Sequence, residues 1–235
     1  MTRVGVIGVG GMGFTHVKAL KSLAEEMDLQ VVAIADLQEK YQKRAKEEWP
    51  EAAIYAEGAE LLEKEQLDAV HICVPSYKHA ELAIQAMNKG IDVLVEKPAC
   101  LKEEDCERML AAKEANHVSV MVGQVVRFFP EYRYLREAYK NQTFGKLKSL
   151  SMQRLSGNVT WGYEDWFHDE EKSGSVVLDL HIHDPVSYTH LDVYKRQELH
   201  HTGRGWYLRM QRGFHNRSRK CNQGFRQQRY RRRRF

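Results

Sequence analysis

The chain has 235 residues, of which 43% are hydrophobic and 29% are charged, a composition typical of a soluble globular protein. Nowhere does it reach the roughly 18 to 20 consecutive apolar residues of a membrane-spanning helix. The N-terminus enters a strand pattern without the charged and apolar regions of a signal peptide. We therefore expect a cytoplasmic protein that is not embedded in a membrane. The four cysteines show no C-x-x-C spacing, which argues against a zinc site or a disulfide framework.

Charge divides the chain into two unlike parts. Residues 186–235 contain 14 Lys and Arg side chains against two acidic ones, whereas the first 185 residues carry 22 basic and 30 acidic side chains. So abrupt a change of sign indicates either a basic tail or a foreign sequence.

Short apolar runs rich in Val and Ile alternate with amphipathic segments in the first half of the chain. The pattern predicts strands at 3–8, 29–35, 52–56, 67–74, 91–96 and 118–123, and helices near 12–26, 37–48, 58–65, 78–89 and 103–115. Strands that are apolar on nearly every residue are typical of a parallel sheet covered on both faces. The sequence therefore predicts an α/β fold with a doubly wound Rossmann domain over residues 1–122.

A different pattern follows residue 122. Pro130 opens a predicted helix over 130–140, and residues 145–156 alternate imperfectly, as a strand with one exposed face does. A further helix is expected from about residue 175, with Ser173 or Ser175 as its N-cap.

We interpret residues 123–185 as the incomplete start of an α+β, open-sheet second domain for substrate binding or oligomerisation. Residues 186–235 lack both the strand and the helix periodicity and end in RRRRF. We expect them to be an aberrant, disordered basic tail that arose from a cloning or frame-shift event.

The first predicted strand runs into the glycine-rich segment VGVIGVGGMG and then a helix. Gly8, Gly10 and Gly13 form the pattern G-x-G-x-x-G, in which the glycines allow a tight turn, close approach to a pyrophosphate and close helix packing. Gly11 and Met12 complete the helix start, whose amides would face the phosphates. The segment predicts a dinucleotide site; the alternative is a glycine-rich turn without a ligand.

Asp36 ends the second predicted strand, 23 residues beyond Gly13. A carboxylate there accepts hydrogen bonds from a ribose diol and repels a 2′-phosphate, so the sequence favours NAD over NADP as the cofactor.

The segment DVLVEKPAC places Glu96, Lys97 and Pro98 at the carboxyl end of a buried strand. Open α/β sheets bind their ligands at this edge, so Lys97 could hydrogen-bond a nicotinamide ribose or a substrate hydroxyl. The alternative is a surface lysine paired with Glu96.

Several of these segments together resemble the Gfo/Idh/MocA oxidoreductases. The resemblance rests on GVIGVGGMG, on Asp36, on VPSYKHAELAIQAMNKGIDVLVEKP, on GQVVRFFP and on LDLHIHD, and it covers residues 3–184. It implies a nucleotide-binding domain followed by an α/β domain whose open sheet forms oligomer contacts, and hence a homo-oligomer. The implied chemistry is nicotinamide-dependent oxidation or reduction of sugars, cyclitols and related polyols, with inositol dehydrogenases among the members.

The segment LDLHIHD carries the predicted acid/base chemistry. On a helix, Asp179 and His183 are four residues apart and share a face. Oxidation of a secondary alcohol needs a base for the hydroxyl proton, and a histidine that titrates near neutrality suits that role. The resemblance implies that His183 is the acid/base, that Asp179 binds substrate beside it, and that Lys97 helps to hold substrate and cofactor. The alternatives are a structural histidine and a metal site, but the side chains of His181 and His183 diverge on a helix, which argues against a metal.

Four further residues match positions near the ligand in relatives. Ser76 and His79 correspond to positions near the nicotinamide; the alternative is a helix N-cap with an exposed histidine. Gln124 and Arg127 fall at the junction of the domains, where we expect Gln124, like Glu96, to contact the cofactor and Arg127 to contact the substrate. An interdomain ion pair is the alternative for Arg127.

The sequence as a whole predicts an NAD-dependent dehydrogenase of a polyol. Because the remainder of the second domain is missing after residue 185, we expect weak NAD binding and little turnover from this chain. One alternative is a cofactor-binding fragment without catalysis. Another is nucleic-acid binding through the arginine-rich tail, against which stands the lack of a recognisable binding motif.

Overall fold

The computed structural model describes residues 1–145 and 162–184, together with the backbone of 197–202 and 205–210. Six parallel strands form one sheet in the order β3-β2-β1-β4-β5-β6. Their bounds are β1 Thr2–Ile7, β2 Leu29–Ala35, β3 Ala53–Tyr55, β4 Ala69–Ile72, β5 Asp92–Glu96 and β6 Val120–Gly123. The strand order reverses direction between β1 and β4, and sheets of this kind bind ligands at the carboxyl ends of the strands there.

Five helices cover the two faces of the sheet: α1 Gly11–Leu23, α2 Glu39–Glu48, α3 Gly58–Lys64, α4 His79–Met87 and α5 Glu103–Asn116. One core cluster packs α1 and α2 against β1 and β2 through Val17, Leu20 and Ala45. The other packs α3, α4 and α5 against the opposite face. Burial on both faces explains the continuous apolar strands, and the predicted doubly wound α/β fold is confirmed.

A short 3-10 helix over Val125–Phe128 leads from the sheet into α6, Pro130–Lys140, which begins at Pro130 as predicted. The described residues resume at Gly162. A 3-10 helix at Tyr163–His168 and two short helices follow, α7 Glu170–Ser173 and α8 Ser175–Asp179. The predicted strand over 145–156 lies outside the described residues beyond Gly145. Within the described part of the chain, no helix has the length and apolar character to cross a membrane.

The helix predicted around LDLHIHD is shorter than expected. It ends at Asp179, and residues 180–182 form a turn before helical geometry resumes at His183. In a continuous α-helix the main-chain oxygen of Asp179 would accept a hydrogen bond from the amide of His183. Asp179 instead marks the end of α8, and its main-chain oxygen accepts a hydrogen bond from Nζ of Lys97 at 2.5 Å. Asp179 and His183 therefore do not lie on one unbroken helix, and the expectation based on a shared helical face was wrong.

Part of the expected disordered tail has regular backbone structure. Strand β7, Gln197–Thr202, pairs antiparallel with β8, Gly205–Met210, in a two-stranded sheet. Backbone pairing in a hairpin does not require an alternating apolar face, which was the signal sought in the sequence. The expectation of a disordered tail over residues 186–235 stays a prediction.

Candidate active site

The glycine segment closes the edge of the sheet between β1 and α1. Gly8 has a φ of 81°, and a Cβ atom there would lie 2.8 Å from the main-chain carbonyl of Cys73. A Cβ on Gly13 would overlap the carbonyl oxygen of Gly8. Both positions therefore require glycine, one for a tight turn and one for packing of α1 against the strand.

Gly10 and Gly11 face open space, since a Cβ on either would meet no atom within 4 Å. Helix α1 begins here with no side-chain cap and no acidic residue in its first turn, and Met12 is exposed. The amides at the helix start are thus free of the side-chain acceptors that commonly cover them, and the helix dipole favours an anion. These residues fit the pyrophosphate of a dinucleotide.

Arg44 of α2 supports the same loop from behind. Its guanidinium donates to the carbonyl oxygens of Val9 and Gly10 at 3.1 and 3.0 Å, and it stacks 3.8 Å from the ring centre of Phe14. The contact fixes two carbonyls of the loop and places a positive charge beside the phosphate site. The sequence did not reveal this role, because an arginine on an exposed-looking helix carries no distinguishing spacing.

Asp36 stands at the carboxyl end of β2, as predicted. Its Oδ2 accepts from the amide of Val9 and its Oδ1 from the amide of Gln38, both at 2.8 Å. The carboxylate is therefore fixed next to the glycine segment, where a ribose hydroxyl would approach it.

Lys97 and Asp179 form the centre of the predicted catalytic set. Nζ of Lys97 lies 2.7 Å from Oδ1 of Asp179, and the two side chains are only 20% and 19% exposed. The pair joins the turn after β5 to the end of α8, so the fold brings two of the predicted site residues together.

His183 and Asp184 are buried just after the turn that follows Asp179. The hydroxyl of Tyr132 on α6 donates to Oδ1 of Asp184 at 2.8 Å, and Nδ1 of His181 lies 3.4 Å from Oδ2 of the same carboxylate. Tyr132, His181 and Asp184 were not predicted as part of the site. Among the described residues, no group of three or more His, Cys, Asp or Glu side chains is arranged to hold a metal ion.

Ser76 and His79 both lie below the surface. Ser76 is buried at the start of a 3-10 helix, Ser76–Lys78, whose cap is Pro75, so the alternative reading of Ser76 as an N-cap is not supported. His79 is 1% exposed rather than on the surface, and its Nδ1 and Nε2 meet the carbonyls of Pro98 and Val74 at 2.6 and 2.8 Å. Burial lowers the pKa of His79 even though these carbonyls raise it. With both nitrogens beside carbonyl oxygens, His79 supports the Lys97–Pro98 turn, and its contact with the cofactor stays a prediction.

Glu96 also turns into the protein. Its Oε1 lies 2.9 Å from Nε2 of His16, and its Oε2 accepts from the amide of Lys97 at 3.2 Å. It is thus not paired with the Lys97 ammonium, as the surface-lysine alternative assumed. Burial alone would raise the pKa of Glu96, but the hydrogen bond and charge of His16 and the contacts of Lys97 lower it overall.

Gln124 and Arg127 both follow the carboxyl end of β6, which ends at Gly123. The buried Oε1 of Gln124 has no hydrogen-bond partner among the described residues, which leaves an acceptor for a ligand near this edge. The guanidinium of Arg127 lies 5.5 Å from the ring centre of Phe128.

A histidine pair beneath the lysine turn was missed by the sequence reasoning. Nδ1 of His16 on α1 lies 3.0 Å from Nδ1 of His71 on β4, and the rings meet edge to face. Burial, and secondarily the charge of His16, lowers the pKa of His71 to about 4. Nothing in the spacing of residues 16 and 71 signals that the sheet brings them together.

Comparisons with known proteins agree with the Rossmann fold. The sequence profile of the Gfo/Idh/MocA family, described as "Oxidoreductase family, NAD-binding Rossmann fold", matches residues 2–124. The myo-inositol 2-dehydrogenase of Thermotoga maritima is 31% identical over 182 residues, which are 77% of this chain and 52% of that protein. The UDP-N-acetylglucosamine 3-dehydrogenase of Acidithiobacillus ferrooxidans is 30% identical over 77% of this chain and 51% of its own length.

A solved structure of an NAD-binding protein from Listeria innocua superposes with a TM-score of 0.71 at 28% identity, covering 84% of this chain and 56% of that one. The chain thus spans about half the length of the curated relatives it matches. Since the family profile covers more than half of the chain and matches the strands and the glycine segment described above, the chain belongs to the Gfo/Idh/MocA family of oxidoreductases with an NAD-binding Rossmann fold.

Proposed function

We propose that the protein transfers a hydride between a hydroxyl-bearing carbon of a cyclitol or sugar and NAD. The observation that carries the proposal is the Lys97–Asp179 pair at the carboxyl edge of the sheet, on the same edge as the glycine segment. A dinucleotide with its phosphates on α1 would extend along this edge toward β4 and β5.

NAD is favoured over NADP by Asp36. Its carboxylate is held by two main-chain amides at the position where the adenosine ribose would lie. A 2′-phosphate brought to this position meets a fixed like charge, whereas a ribose diol finds an acceptor.

Each catalytic side chain has a separate task in this proposal. The nicotinamide ring of NAD, when bound, accepts the hydride. Lys97 and Asp179 hold the substrate hydroxyl, and His183 takes its proton as hydride leaves the carbon. The ammonium of Lys97 also stabilises negative charge that develops on the substrate oxygen. The Oε1 of Gln124, which has no hydrogen-bond partner in the described part of the chain, provides an acceptor for the cofactor.

The substrate class follows the relatives by analogy. Two of them are named for the oxidation of myo-inositol and of UDP-N-acetylglucosamine, both of which carry secondary hydroxyl groups. For the chain as it stands we propose weak cofactor binding and low turnover, because catalytic side chains must be held within about 0.5 Å of their working geometry by surrounding structure.

The test uses two proteins. NADH binding to the full chain is measured by fluorescence, with Gly10→Ala as the variant that should lose it. Oxidation of myo-inositol, scyllo-inositol and UDP-N-acetylglucosamine is then followed by NADH formation in a chimaera that joins residues 1–184 to the second half of the Thermotoga relative. NADH binding with turnover of one polyol supports the dehydrogenase. NADH binding with no turnover of any polyol in the chimaera supports a cofactor-binding module instead, and absence of NADH binding in both proteins refutes the proposal.

A further inference from the structure

We infer that His16 and His71 are positioning residues that hold the Lys97 turn through the carboxylate of Glu96, and that they link this turn to the helix that would carry the cofactor phosphates. The inference rests on the proposed function only in the role that it gives Lys97. The contacts themselves lie within the described sheet and helix α1.

The direction of one hydrogen bond is fixed by chemistry. The pKa of Glu96 is lowered, so the group is a carboxylate at neutral pH and only accepts hydrogen bonds. Nε2 of His16, 2.9 Å from Oε1, must therefore carry a proton and donate it. The second carboxylate oxygen accepts from the amide of Lys97 at 3.2 Å. One side chain thus connects His16 of α1 to the main chain of Lys97.

The other side of the His16 ring meets His71. Two Nδ1 atoms 3.0 Å apart must share a single proton, because two protons would clash and none would leave two lone pairs facing each other. His71 is neutral above about pH 4, which satisfies this requirement at neutral pH. The pair therefore fixes the plane and tilt of the His16 ring from β4.

Packing leaves the Glu96 carboxylate little freedom. A Cβ on Gly123 of β6 would lie 3.0 Å from both of its oxygens, so this strand closes one side. His16 and Glu96 are 13% and 8% exposed at their side chains. A carboxylate confined in this way keeps a single orientation. We therefore expect a substitution of His16 to alter the hydrogen bond between Glu96 and the amide of Lys97.

The contact matters because helix α1 would also bind the cofactor phosphates. Its N-terminus is the proposed pyrophosphate site, and His16 lies in its second turn, on the side that faces the sheet. A shift of α1 on phosphate binding would therefore be transmitted to the lysine turn through the buried hydrogen bond between His16 and Glu96. His16 and Glu96 are 80 residues apart in the sequence, so only the tertiary fold brings them into contact.

The first measurement tests these contacts by NMR in the absence of cofactor. In the full chain, the side-chain NMR signals of His16, His71 and Lys97 are assigned by substitution. We expect Glu96→Gln to shift the Nε2 signal of His16, and His16→Leu to shift the side-chain signal of Lys97. His16→Gln, whose amide nitrogen can replace Nε2, should restore the Lys97 signal. Ala19→Leu, on an exposed position of the same helix, is the matched control and should change neither signal.

The second reading is NADH affinity. His16→Leu should weaken it by up to about tenfold, the size expected for one lost supporting hydrogen bond, while His16→Gln should stay within about twofold of the parent chain. If the NMR signal of the Lys97 side chain does not shift in His16→Leu, the inference is overturned even when NADH binds normally. A Lys97 signal that responds to His16 in a chain that fails to bind NADH upholds the positioning contacts and refutes the proposed function.

Discussion

Nζ of Lys97 donates to both the carboxylate and the main-chain oxygen of Asp179, at 2.7 and 2.5 Å, across a separation of 82 residues. The pair connects the last residue of α8 to the turn that follows β5.

Breaking this pair should cost stability as well as activity. Asp179→Asn and Lys97→Met should each lower the free energy of unfolding by about 1 to 2 kcal/mol, because each leaves a largely buried polar group without its charged partner. The double variant should lose less than the sum of the two. Urea unfolding measures all three, and strictly additive losses would contradict a direct coupling between the side chains.

His183 should matter for chemistry and not for cofactor binding. In the chimaera, His183→Asn should reduce kcat/KM for the polyol about 100-fold or more, since it removes the proposed base. The dissociation constant of NADH should stay within about twofold of the parent value because the phosphate and ribose contacts are untouched. Steady-state rates and fluorescence titration measure the two effects. An unchanged rate would exclude His183 as the base.

The glycine segment allows a paired test. Gly10→Ala places a methyl group in open space in the chain, yet this is the space that a pyrophosphate would fill. We expect NADH affinity to fall at least about tenfold, with a thermal midpoint close to that of the parent. Ala19→Leu, at an exposed position of the same helix, is the control and should bind NADH almost normally. Equal affinity in both variants would argue against phosphate binding at this turn.

Asp36 should determine the choice of cofactor. The parent chain should bind NADH more tightly than NADPH, and Asp36→Ser should reduce or reverse the preference because it removes the charge facing a 2′-phosphate. Competition titration with both nucleotides measures the ratio. A ratio that does not change on substitution would place the adenosine ribose elsewhere.

His71 should make the fold sensitive to acid. Its pKa is about 4 in the folded chain, whereas an unfolded histidine titrates near 6.5. Between these values the unfolded state binds more protons, so the free energy of unfolding falls as pH drops from 6.5 to about 4, by up to roughly 3 kcal/mol. Glu96, whose pKa is lowered, adds a further loss as pH falls below its usual range and through its folded pKa.

His71→Asn keeps a donor for His16 but does not titrate, so its unfolding free energy should vary less with pH in this window. His117→Asn removes a histidine from an exposed left-handed position that asparagine also accepts, and it should keep the parental slope. Urea unfolding at a series of pH values compares the three proteins. The same slope in His71→Asn as in the parent would show that His71 is not buried as a neutral ring.

Sequence alone predicted the sheet because both of its faces are covered, and every strand therefore reads as a continuous apolar run. It also located Lys97 and Asp179, since each lies in a motif with a recognisable position at a strand or helix end. The end of α8 at Asp179 was not predicted, because the apolar spacing of residues 176–182 continues past it.

The histidine contacts were hidden for a related reason. His16 and His71 meet only because the parallel sheet places β4 beside β1, beneath α1, and His79 was assigned to the cofactor although folding buries it against two carbonyls. Spacing reports which face of an element a residue occupies. It does not report which other element covers that face.

The most direct measurement of the central claim is a crystal structure of the chain with NADH. The proposed arrangement predicts that the pyrophosphate lies on the amides of Gly10 to Gly13 and that the nicotinamide ring reaches the Lys97–Asp179 pair, with Asp36 on the adenosine ribose. A cofactor whose nicotinamide lies away from Lys97, or whose phosphates avoid the start of α1, would contradict it.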